Sequence, residues 1–214
     1  MKESLSKLLS VGSQTLGGSC IDQVDFFSSV GKARGDELKA MLMQKNGFYA
    51  FAGALHVLPS TQRYSDSGVT LETWNSPDLW RSGYGLTGTD IAFFAEDLFG
   101  VQFCIHGDEV LSFDPETAGF SYLASSIEEW ADKILSDYDY LTGYSLAHGW
   151  QMKNGALKQG DRLLPKQPFV LGGKFKIENL YACESVSGMK VRSELATKIK
   201  DLPDGAELRF EFGE

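Results

Sequence analysis

Cys104 and His106 stand two apart in a run of strand-forming residues, so their side chains point to one face, and Asp108 follows close behind. A thiol activated by an imidazole, with a carboxylate to assist, is the equipment of a small hydrolase or transferase. The competing reading is a small packed cysteine beside a histidine at a strand end. It is the stronger of the two, because free cysteines are usually buried. His56 lies in an apolar run with no evident partner, which favours a structural histidine. His56, His106 and His148 are widely separated, and Cys20, Cys104 and Cys183 show no paired spacing. Neither pattern predicts a metal site. Gly172-Gly173 is followed by no Lys-Ser/Thr element opening a helix, so no nucleotide loop is expected. The residues therefore predict no catalytic group and no cofactor.

Charge is more informative than any motif. The 214 residues carry a formal net charge of −9, and residues 101–145 hold nine acids against Lys133 alone, a net −8. Residues 146–214 are slightly basic. Such an acidic centre repels a phosphate backbone, which disfavours nucleic acid as a direct partner. It either keeps the protein soluble or docks a basic protein, where complementary charge speeds encounter. The candidate partner-binding residues are Glu96, Asp97, Asp108, Glu109, Glu128, Glu129, Asp132 and Asp137, with Trp74 and Trp80 as aromatic anchors. With 43% hydrophobic residues the chain can bury a sizeable core. No apolar run is long enough to span a bilayer, and the first residues lack the h-region of a secretory signal. Unpaired cysteines suit a reducing compartment. A cytoplasmic protein is expected, with no membrane insertion; oligomeric state is left open.

These residues must be positioned by a central stretch from Thr89 to Leu141. Ile91–Ala95, Val101–His106, Glu109–Phe113 and Phe120–Ala124 are strand-like runs bounded by turn formers. Gly107-Asp108 suits a two-residue type II′ hairpin, and Asp114 to Gly119 a longer one, so the runs form an antiparallel meander. Ser126-Ile127-Glu128-Glu129 has the form of a capping box, with Ser126 accepting from the Glu129 amide and the Glu129 carboxylate returning to the Ser126 amide. Behind it Ile127, Trp130, Ala131, Ile134, Leu135 and Tyr138 form a helical stripe that can cover one sheet face.

Upstream, residues 1–34 read as an irregular lead-in, despite a weak apolar spacing at Leu5, Leu8 and Leu9. Asp36 is placed to cap a helix carrying Leu38, Met41 and Leu42, stopped by Asn46-Gly47 with Lys45 near its negative end. Phe48–Leu58 reads as one or two buried strands. Residues 60–88 read as a loop whose Trp74, Trp80 and Tyr84 either tuck beneath it or stay accessible. Downstream, Leu146–Met152 reads as helical, Arg162–Leu171 as an edge strand or extended connection, Phe175–Cys183 and Glu207–Phe212 as strands, and Val191–Ile199 as a helix. Trp150 is expected to fill the seam between this second layer and the core.

The helix ending in Asn46-Gly47, the aromatic run to Leu55-His56-Val57-Leu58-Pro59, the strand pair around Phe93–Ile105, the Asp114-Pro115 hairpin and the Ser125-Ser126-Ile127-Glu128-Glu129-Trp130 helix together resemble the SUKH superfamily. That superfamily includes bacterial immunity proteins of polymorphic toxin systems and the yeast regulator of cell-wall synthesis. The likeness spans about residues 35–141. It implies an α+β domain, an antiparallel or mixed sheet flanked by helices, acting by binding rather than catalysis. Residues 142–214 lie outside the likeness and read, from their own strand and helix signals, as a C-terminal α/β extension packed on it as one compact unit. The resemblance further implies a non-enzymatic immunity protein whose partner is a basic cognate toxin, such as a nuclease. The alternatives are an intracellular regulatory scaffold and a small Cys/His hydrolase.

Overall fold

The computed structural model describes residues 3–18, 26–27, 30, 32–61, 68–88, 90–200 and 202. Cys20, the Ser65-Asp66-Ser67 turn and the strand expected at Glu207–Phe212 lie outside the described residues.

A six-stranded antiparallel sheet runs in strict chain order: β1 (Phe48–Ala50), β2 (Leu55–Val57), β3 (Ile91–Glu96), β4 (Gln102–His106), β5 (Glu109–Asp114) and β6 (Gly119–Ala124). The expected four-strand meander is present and is extended by the β1–β2 hairpin. His106 pairs with Glu109 across Gly107-Asp108, and Gly107 takes the positive φ of 57° that the first position of a II′ turn demands. A bulge between Phe93 and Ala95 shifts the β3–β4 register, and Phe93 and Phe94 pack on opposite faces, against Trp80 and Trp130.

Both faces are covered. On one, α4 (Ile127–Ser136) lays Trp130 edge-on against Phe94 and Phe103, at centroid distances of 5.0 and 5.8 Å. Ser126 caps this helix by accepting from the Glu129 amide at 3.0 Å, and a second cap comes from far away: Glu37 accepts from the Ile127 amide at 2.9 Å. The Glu129 carboxylate returns one residue earlier than the box predicts, to the Ser125 amide. Ser126→Ala is expected to cost about 1 kcal/mol, the usual loss of an N-cap, as a lower urea midpoint with unchanged slope. On the other face sits the long loop, ordered by α3 (Leu71–Trp74) and a 3-10 turn (Arg81–Tyr84). Trp80 meets Phe93 edge-on at 4.9 Å, Tyr84 meets Phe113 at 5.1 Å, and the Trp74 indole donates to Gln102 Oε1 at 2.8 Å.

Three expectations are corrected. The first residues are not irregular: α1 (Glu3–Val11) buries Leu5, Leu8 and Leu9. Its first amides are met by Glu128, and Lys45 donates to the closing carbonyls of Leu9 and Gly12. α2 (Lys32–Gln44) begins one turn before Asp36. Gly35 does not stop it; a Cβ there would stand 2.3 Å from the Phe27 carbonyl oxygen, so glycine permits a close backbone approach. Trp74 and Trp80 are each only 1% exposed and belong to the core.

The remaining chain forms α5 (Tyr138–Thr142), α6 (Tyr144–Asn154), a two-stranded sheet of β7 (Asp161–Pro165) and β8 (Leu180–Glu184), and α7 (Ser185–Ile199). α7 starts six residues earlier than periodicity suggests because Glu184 accepts from the Val186 and Ser187 amides. β8 is shorter than expected, a 3-10 turn (Ile177–Asn179) taking its first residues. Leu98, Phe99 and Ala54 from the first part share a second core with Ala147, Leu163 and Leu180, and partly buried Trp150 packs on it. The Leu163 amide donates to the Leu98 carbonyl at 2.9 Å, which stitches the extension to the end of β3.

Candidate functional site

Between the start of β4 and the end of β5, the α5–α6 corner and the β7–β8 connection lies a groove of about 620 Å³. Val101 and Phe103 form one wall, Leu141 and Leu146 a second, and Phe169, Val170 and Phe175 a third. Phe169 and Phe175 stack in parallel at 3.9 Å, with Phe99 edge-on to both. The rim exposes large apolar groups: Tyr140 is 82% and Phe175 60% accessible. Clustered, such residues are what a protein interface buries.

The charged groups around the groove are mostly acids. Asp114 turns the β5–β6 hairpin, its Oδ1 accepting from the Glu116 amide and its Oδ2 from Thr117 Oγ1. Glu116 reaches across to accept from the Val170 amide at 2.8 Å, and burial raises its carboxyl above the ordinary value. Asp139 Oδ1 accepts from the Ser145 amide at 2.7 Å. At the floor Asp97 is only 5% exposed. Its Oδ1 accepts from the Phe99 and Val101 amides, both at 2.8 Å, and burial pushes its carboxyl up to about 8. Beside it the buried Arg192 guanidinium donates to the carbonyls of Phe99 and Gly188. Gly100 is required here, since it takes φ +77° and a Cβ would lie 2.5 Å from Arg192 Nη2.

A second polar cluster is sealed inside. Glu96 and Arg162 are each 1% exposed with Oε1 and Nε 2.9 Å apart. His56 Nδ1 lies 2.9 Å from the same oxygen, Ser185 Oγ donates to Oε2 at 2.7 Å, and the Tyr49 ring stacks on His56 at 4.3 Å. Burial alone would raise the Glu96 carboxyl, but the Arg162 guanidinium together with the His56 and Ser185 hydrogen bonds outweighs it and holds the group well below the carboxylate range. Burial lowers His56, so a neutral ring bonds Glu96 through Nδ1–H. The His56 partner that sequence does not reveal is thus Glu96. Both residues lie too deep to meet a substrate.

The sequence candidates fall into separate places. Glu96 and Asp97 are buried; Glu96 neutralises an internal cation, so it is no surface anchor. Trp74 and Trp80 are likewise core and cannot serve as exposed anchors. Glu128 caps α1, Asp132 accepts from Ser4, and Glu129 bonds Ser125 and pairs with Lys133. Asp108 and Glu109 sit at one end of β5 and Asp114 and Glu116 at the other, about 17 Å apart at a strand rise of ~3.3 Å. The acidic stretch therefore does not make one continuous face. What it does supply to one place is Asp114, Glu116 and Asp139, none of which sequence reasoning singled out for binding, although their turn-forming neighbours marked the loops that carry them.

The Cys104–His106 pair is not assembled for chemistry. Cys104 is fully buried and its thiol is pushed up by burial, while His106 is exposed and 3.1 Å from Asp90. Among the described residues no histidine or cysteine lines the groove. Among the described residues no group of three or more His, Cys, Asp or Glu is placed to hold a metal ion, and no helix is long and apolar enough to cross a membrane.

No family model and no curated protein matches the chain. Among solved structures it is similar to Atu4351 from Agrobacterium tumefaciens, with a TM-score of 0.58, 12% identity, and coverage of 91% of this chain and 89% of that one. At that identity the likeness concerns the fold alone.

Proposed function

We propose that this chain is a non-enzymatic binding protein that neutralises a basic partner, acting as an immunity protein against a toxin, such as a nuclease, of a polymorphic toxin system. The observation that carries the reading is the groove: aromatic and aliphatic walls, exposed Tyr140 and Phe175 at its mouth, and carboxylates around it. Apolar anchors provide area, and the net −9 of the chain draws a positively charged protein to it. A nuclease must hold phosphate with basic residues, and a carboxylate-rich surface competes for those groups. The resemblance of residues 35–141 to the SUKH superfamily supports the same reading, since many of its bacterial members act by binding a toxin. The cytoplasm, where such a protein meets its toxin, is the proposed compartment.

The test is capture of the product of the adjacent gene by the immobilised full chain at about 50 and 500 mM salt, where the screening length shrinks several-fold. A basic protein is expected to be retained at low salt, more weakly at high salt, and to lose its toxicity when the two are co-expressed. Absence of any complex with that product, or capture indifferent to salt, overturns the reading.

A further inference from the structure

The two edges of the six-stranded sheet differ. Along β1 the Ser13 amide donates to the Tyr49 carbonyl at 2.7 Å and the Tyr49 amide to Ser13 Oγ at 3.0 Å, while the Leu16 and Gly17 amides meet the carbonyls of Gly47 and Asn46. β6 forms the other edge, and there Gly119, Phe120, Ser121 and Tyr122 are all exposed, Tyr122 by 55%. The hairpins identify which of its backbone groups point outward. The two-residue turn at Gly107-Asp108 makes His106 and Glu109 a hydrogen-bonded pair, so Glu109, Leu111 and Phe113 bond β4, while Val110, Ser112 and Asp114 bond β6. Ser121 and Gly119 are the partners of Ser112 and Asp114, which leaves the N–H and C=O groups of Phe120 and Tyr122 facing away from the sheet. Among the described residues nothing bonds to those four groups. The open stretch is short. Leu123 is an extra residue in the β5–β6 ladder and Lys133 donates to its carbonyl, so a bulge and a lysine blunt the strand just past Tyr122.

We infer that this edge pairs with the same edge of a second copy of the chain, antiparallel about a two-fold axis at Ser121, so that the two sheets become one. An unpaired strand edge takes another strand, and three features select a copy of itself. The register closes: Phe120 lies opposite Tyr122 of the second copy and Tyr122 opposite its Phe120, so the four open groups on each side meet the four on the other, with Ser121 facing Ser121. Alternation puts Phe120 and Tyr122 on one sheet face, which makes both cross-strand pairs aromatic and sets the small serines on the opposite face. Residues 118–127 carry no charge in a chain of net −9, so two copies approach here with the least repulsion. The strand ends are complementary: Leu123 falls opposite Gly119 of the second copy, which brings Lys133, the one base of residues 101–145, to the Asp114 hairpin across the axis, twice. Because the bulge ends the pairing, the contact closes as a dimer and does not propagate. The dimer rests on the sheet edge and not on the proposed function.

Sedimentation velocity of the full chain over about 5–500 µM is expected to show a monomer passing into a dimer, with a dissociation constant on the order of 10–100 µM, since so small an interface is a weak one. In hydrogen exchange across the same range the Phe120 and Tyr122 amides should gain about 10-fold protection, while the Ser121 amide, spent on β5, is protected throughout. Ser121→Lys and Ser121→Glu alter an exposed side chain and set like charges face to face at the axis, so each alone should weaken the dimer about 5-fold and leave the urea midpoint unchanged. An equimolar mixture of the two variants should dimerise at least as well as the parent, because a residue on a two-fold axis meets only its own counterpart. A chain that stays monomeric at about 500 µM overturns the inference, the edge then being met by some other strand. Association that neither substitution changes, or that the mixture does not restore, puts the interface elsewhere and overturns it equally.

Discussion

Arg162→Met is expected to destabilise the protein by about 3–5 kcal/mol at pH 7, the cost of leaving one charge of a buried pair without its partner. Arg162 reaches from β7 into the end of β3, where Glu96 has been carried under the sheet by the apolar run Ile91–Ala95. Its guanidinium also lies over the Tyr49 ring and donates to the Gly53 and Asp161 carbonyls. Methionine replaces the stem but none of these bonds, and Glu96 is left with His56, Ser185 and Gln102. The pH dependence identifies the cause. With Arg162 present the Glu96 carboxyl is depressed, so its stabilisation is complete above the unfolded value near 4.5 and is lost as pH falls below it. His56 adds to the same limb, because its lowered folded value means that protons bind the unfolded ring first as pH drops below about 6.5. Without Arg162, burial dominates Glu96 and the sign of its contribution reverses, so mild acid should partly rescue the variant. Glu96→Gln is expected to fall by a similar amount, and the double variant by less than the sum. A full additive loss in urea unfolding would mean that the two groups are not coupled.

This pair also explains which parts of the structure could be read from the chain and which could not. The meander was legible because its information is local: Gly107-Asp108 and Asp114 to Gly119 set the hairpins, and the Ser126 cap and the stripe through Trp130 set the covering helix. The α1 helix was obscured because only one turn and a half of apolar spacing precedes the glycines that follow it, and its stability comes from Glu128 and Lys45, both more than thirty residues away. Trp74 and Trp80 carried two readings because a loop aromatic is assigned by what lies beneath it, here Phe93 and Gln102. Glu96 and Asp97 read as surface charge because acids are rarely buried. The available hint was their position at the end of an unbroken apolar strand, matched by Arg162 at the head of Leu163-Leu164. The groove draws on five separated segments, so no single window of sequence contains it.

Asp97→Asn is expected to make the protein more stable, and increasingly so as pH rises. Burial raises the Asp97 carboxyl to about 8, while in the unfolded chain the group ionises near 3.8. Below the unfolded value both states hold the proton and the residue is neutral in its effect. Between the two values the unfolded chain releases the proton and the folded one retains it, so stability declines with rising pH and levels off above about 8. At pH 7 this difference corresponds to about 3–5 kcal/mol, at ~1.4 kcal/mol for each unit between the two values. Asparagine has no proton to lose and can still accept from the Phe99 and Val101 amides, so its profile should be flat across the alkaline range and its melting temperature higher than the parent's at pH 8 to 9. The acid side, governed by His56 and Glu96, should be unchanged. A parent profile that is already flat between pH 6.5 and 9 would show that Asp97 is ionised in the folded protein.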